Sequence, residues 1–198
     1  MNEVTKVVTG SHSYTAPKLY IVTLTVSDQS GMSGTSVFQY VVVIDQLAGY
    51  ETGVGSINTP AGSYTDNPSL AGTAGISQLT AKYGLDGTLG AASNIFKFSY
   101  SAAGMTFNSS SMKWLVISGN KSWLKGEGWA SNVTDPCYFL VSVVDNTTTV
   151  DKVRVKIWNK VSGKVIYDNQ KDGTGVSAPD DAQAIQSTTS PSTIVLLK

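Results

Sequence analysis

The feature that most constrains this chain is a two-residue alternation of apolar and polar side chains, recurring in short segments with turn residues between them. In IFKFSY (95–100), Phe96, Phe98 and Tyr100 take one side and Lys97 and Ser99 the other. In KVRVKIW (152–158), Val153, Val155 and Ile157 oppose Arg154, Lys156 and Trp158. A period of two belongs to an extended strand with one face buried and one wet. The same cadence predicts strands at 3–9, 19–27, 36–44, 113–118, 121–129, 138–144, 164–168 and 193–197. Val, Ile and Thr supply 53 of 198 residues and Glu only 3, so intrinsic preference agrees with the pattern. Helix is expected only as short turns at 68–70 or 180–186, the latter capped by Asp180 or Asp181.

Strands that bury one face build antiparallel sandwiches or barrels rather than parallel sheets under helices. The expected fold class is therefore all-β. A seam at Gln46 to Gly49 divides the chain into residues 1–46, with three strands, and 49–198, with eight or more. Three strands are too few for an independent core. The Gly-rich stretch 48–75 and the long excursion 171–192 read as irregular, and Val161 to Lys164 reads as a hairpin turn.

Charge excludes several classes of partner. Fourteen basic residues balance 14 acidic ones, and Arg154 is the single arginine, so no basic field exists for nucleic acid. No apolar run is long enough to insert in a membrane as a helix. Cys137 has no second cysteine to pair with, and its setting in CYFLVSVV predicts a buried small hydrophobe. His12 is the only histidine, so any triad or histidine-based metal site would depend on it alone. No secretory leader is read at the N-terminus, yet the Ser-, Thr- and Gly-rich surface suits an extracellular β-module.

The first block resembles the C-terminal half of a PKD domain through His12, Tyr14, YIVTLTVSD (20–28) and FQYVVVID (38–45). The W-x-F-G-D-G segment of such domains is absent, so the resemblance implies either a chain that begins inside one or N-terminal strands that lie outside this sequence. The second block resembles a post-COAP domain. Its carrying segments are GSINTPAGSYTDNPSLAGTAGI (55–76), FKFSY (96–100), MTFNSSSMKWLVISG (105–119), KGEG (125–128), YFLVSVVD (138–145), and VRVKIWN with VIYDNQ (153–170). Together these imply a partial Ig-like sandwich joined to a larger antiparallel, jelly-roll-like β-sandwich. They imply a non-catalytic structural or adhesive module, secreted or on a bacterial cell surface. Its expected partners are a protein or polysaccharide surface and adjacent domains of the same polypeptide.

Two constellations are candidate sites. In KSWLKGEGW the odd positions Trp123, Lys125, Glu127 and Trp129 share a face with Lys121, and two or more charges on one face predict that it is wet. Two exposed indoles would then form a platform for sugar rings, as in the carbohydrate-binding accessory module of a secreted hydrolase. Related domains carry small or polar residues at these two places. The competing expectation is that the indoles pack on a neighbouring block or on the 171–192 excursion, or that Gly126 and Gly128 mark a bulge. Asp145, Asp151 and Asp168 border loops that would gather oxygens around calcium if they met at one end of the sandwich. No other cofactor is expected, nor is a catalytic residue.

Overall fold

The computed structural model describes residues 10–197, and the predicted strand at 3–9 lies outside them. The chain is all-β. Strands β1 (Lys18–Ser27) and β2 (Ser33–Val43) form an antiparallel hairpin. The remainder is one large antiparallel sheet: β3 (Tyr50–Thr59), β4 (Gly72–Lys82), β5 (Ile95–Tyr100), β6 (Met105–Ser118), β7 (Lys121–Ala130), β8 (Cys137–Val144), β9 (Lys152–Asn159), β10 (Val165–Asp168) and β11 (Thr188–Leu197). Its order among the described residues is β10-β9-β8-β7-β6-β5-β4-β3-β11. Neither expected helical turn forms: residues 68–70 and 180–186 are turns and irregular chain, and the helix described is one 3-10 turn, Ser101–Ala103.

This sheet curls into a sandwich. The connectivity is a meander rather than a jelly roll, because the short links between β3 and β10 favour hairpins over crossovers. The curl brings the sheet's two ends together. The segment after β3 meets β10, with Thr65 donating to Ile166 and Asp168 to Ser63, while Val153 at the start of β9 donates to Gln186 just before β11. The edge of β10 and the start of β11 are thereby paired within the fold. Inside lie Phe96, Phe98, Tyr100, Val153, Val155 and Ile157, the two apolar faces that the alternation predicts, together with Phe107, Phe139, Val141 and Tyr167, and with Cys137 buried among them as expected.

Strand β3 and the first four residues of β4 occupy the stretch read as Gly-rich and irregular. Glycine is there for access. At Gly53, with φ +148°, a Cβ would collide with the Thr193 carbonyl, so only glycine lets β11 lie this close to β3.

The hairpin packs across the outside of the large sheet. Leu19, Tyr40 and Val42 meet Trp114, Val116 and Trp123 in a second, smaller apolar cluster. The opposite face of the hairpin carries Val22, Leu24, Val26 and Phe38, all exposed. Residues 44–49 join the two sheets, and Gln46 fastens this link by donating to the Gly87 carbonyl at 2.8 Å.

Candidate functional site

Strand β7 keeps its alternation without interruption. Ser122, Leu124, Gly126 and Gly128 face the core, where a side chain at Gly126 would run into the Phe139 ring and one at Gly128 into Phe107. The bulges lie in the partner strand β6, not in β7. Lys121, Trp123, Lys125, Glu127 and Trp129 consequently share the outer face, as expected. That face is only partly wet. Trp123 is 3% exposed: Leu19 and Val116 cover it, and its Nε1 donates to the Ala182 carbonyl at 3.3 Å. Both the hairpin and the excursion thus claim it, and the expected pair of exposed indoles does not form. Trp129, 52% exposed, stands alone at the other end of the strand.

Glu127 serves two lysines. Its carboxylate oxygens lie 3.0 Å from Lys113 Nζ and 2.9 Å from Lys160 Nζ. The hydrogen bond from Lys160 is the main reason its pKa falls below the usual carboxylate range.

Lys125 occupies a different setting. Its ammonium lies 5.1 Å from the ring centre of Tyr40, 5.2 Å from that of Tyr138 and 5.2 Å from that of Trp158, and it donates to the Tyr40 hydroxyl. Burial pushes its pKa down, and the negative charge of Asp180 partly opposes that. Asp180 itself pairs with Lys156 at 2.6 Å, and Lys156 lies over the other reach of Trp158, 5.0 Å from its ring centre. The same burial and the nearby Asp180 raise the Tyr40 phenol above its ordinary value.

All of these but Tyr138 line an open hollow of about 370 Å³. Tyr40 comes from the hairpin, Lys125 from β7, Lys156 and Trp158 from β9, Gly163 from the β9–β10 turn, Val165 from β10 and Asp180 from the excursion. Register explains the convergence on the sheet side. Glu127 stands opposite Tyr138, Lys125 opposite Leu140, Tyr138 opposite Trp158 and Leu140 opposite Lys156, so all project to one side. The outward parity of Lys156 and Trp158 was visible in the sequence. Tyr40 and Asp180 carried no such signal, because they arrive through tertiary docking.

The three proposed calcium ligands do not meet. Asp168 is fully buried and grips Arg154 with both oxygens, at 3.1 Å to Nε and 2.9 Å to Nη2, while also accepting from the Gln170 amide. Asp145 accepts from the Leu196 amide at 2.8 Å and Asp151 from the Asn146 amide at 2.9 Å. Burial, then the neighbouring charge of Asp145, raises the Asp151 carboxyl. Each of the three carboxylates is used to hold chain segments together. Among the described residues no three His, Cys, Asp or Glu side chains gather as a metal site. His12 is exposed, its ring edge against Tyr14.

Comparison of the chain with known protein families, curated proteins and solved structures found no match.

Proposed function

We propose that this chain is a non-catalytic binding and spacing module of a bacterial extracellular or cell-surface protein, and that it contacts a polysaccharide through the hollow around Lys125. The observation that supports this most is the convergence of Tyr40 and Trp158 with Lys125 around one outward-opening hollow that draws residues from both sheets. Concave aromatic surfaces with a few fixed polar groups suit sugar rings, whose C–H faces stack on the ring and whose hydroxyls reach the fringe. The PKD-like reading of 1–46 and the post-COAP-like reading of 49–198 belong to the same proposal. The hairpin fits it, since its bare apolar face resembles one inner face of a sandwich.

Trp123 is enclosed and takes no part in glycan contact. The glycan reading is tested by retention of the purified chain on insoluble polysaccharides, comparing wild type with Trp158→Ala and Trp129→Ala. Retention should be lost with Trp158→Ala and persist with Trp129→Ala. Retention by both variants, or by neither, removes the hollow from the account.

A further inference from the structure

Resting on that binding role, we infer that the hollow selects a carboxylate-bearing sugar, a uronic acid unit of an acidic polysaccharide, with Lys125 receiving the carboxylate. The charges around the hollow are nearly all spent. Lys156 and Asp180 neutralise each other at 2.6 Å, and Glu127 is shared between Lys113 and Lys160. Lys125 has no salt-bridge partner among the described residues. Its neighbours are three π-faces and a phenol, which solvate a cation and leave its charge in place.

The hollow therefore carries one uncompensated positive charge beside an indole and a phenol. A neutral sugar would use the rings and leave this half-buried charge unmatched. A phosphate or sulfate ester fits poorly. Phosphate is best held by several convergent donors or a bidentate arginine. The only arginine in the chain, Arg154, is buried and committed to Asp168, and Asp180 opposes a second negative charge in the hollow. A singly charged carboxylate on a pyranose ring matches both the one free cation and the aromatic wall.

The test is titration calorimetry with an oligosaccharide of uronic acid units and with the same oligosaccharide after its carboxyl groups are reduced to primary alcohols. Wild type should bind the acidic form at least tenfold more tightly, with a preference that shrinks as salt rises. Lys125→Met should bring the two forms level, Lys125→Arg should keep the acidic preference, and Trp158→Ala should weaken both. Thermal melts show whether Lys125→Met is folded. If it is not, the salt dependence of wild type and the Lys125→Arg preference decide the matter. Equal binding of the two forms by wild type, still sensitive to Trp158→Ala, leaves the glycan role standing and overturns the carboxylate preference. Binding of neither form overturns both. Tighter binding of an acidic peptide than of either oligosaccharide overturns the assignment to sugar.

Discussion

Glu51 lies in the middle of β3, paired in register with Ala81 on one side and Leu196 on the other, and it is fully buried. Neither carboxyl oxygen has a hydrogen-bond partner; the Ser122 hydroxyl lies beside the group and relieves part of the cost without completing a bond. Burial pushes the pKa from 4.5 to about 8. Between those values the folded chain keeps a proton that the unfolded chain releases, so raising the pH favours unfolding by up to about 1.4 kcal/mol per pH unit. Stability with respect to this group is therefore complete below pH 4.5 and declines towards pH 8. Urea denaturation of wild type at pH 5 and pH 8 should show that loss, and Glu51→Gln should flatten the difference. An equal decline in the variant would assign it to other groups. Nothing in the alternation marks this site: a glutamate facing the core contradicts the pattern, and only the packed body shows that it stays inside.

The excursion between β10 and β11 was expected to be an irregular loop, and side chains tie it down: Trp123 holds Ala182, Lys156 holds Asp180, Gln170 holds Gln183 and Ile185, and the buried anchor is Arg154. Arg154 grips Asp168 and also donates to the Ala178 and Pro179 carbonyls, both at 2.7 Å. Arg154→Ala leaves a buried carboxylate without its partner and should cost about 3–5 kcal/mol. The double variant Arg154→Met with Asp168→Leu should recover much of that stability in a melt, because no buried charge remains. It should still not hold the excursion, whose two carbonyls have lost their donor. Limited proteolysis within 171–187 is therefore expected to be fast in both the single and the double variant and slow in wild type; protection in the double variant would show that packing alone suffices. The strands were legible because alternation is local. In β7 the sequence correctly separated Ser122, Leu124, Gly126 and Gly128 from Lys121 to Trp129. It could not show that a second element lies over Trp123, since an outer face covered by another sheet reads the same as one covered by water. Strand β3 was hidden for a related reason: glycines needed for close approach, Gly53 and Gly55, look like loop residues until the neighbouring strand is in place.

At the scale of the molecule, the large sheet closes through its own segments while the hairpin lies outside it, so the two contribute differently to stability. Residues 49–198 expressed alone should fold cooperatively on the core of Phe96, Phe139 and Ile157. They should also expose Trp114, Val116 and Trp123 as an apolar patch. Increased binding of a hydrophobic dye and a red shift in tryptophan emission, with an intact melting transition, would check this; loss of the transition would make the hairpin part of the same folding unit. The truncated chain should also lose retention on polysaccharide, since Tyr40 is absent from it. The pairing of β3 with β11 has a mechanical meaning. Tyr50 and Leu197 stand opposite each other, so the body's entry and exit points are neighbours on one ladder. Tension applied to those two points would pull across the ladder and part its hydrogen bonds in succession from that end, instead of loading them all at once in shear. A chain loaded at those two points would see this body yield early and lengthen.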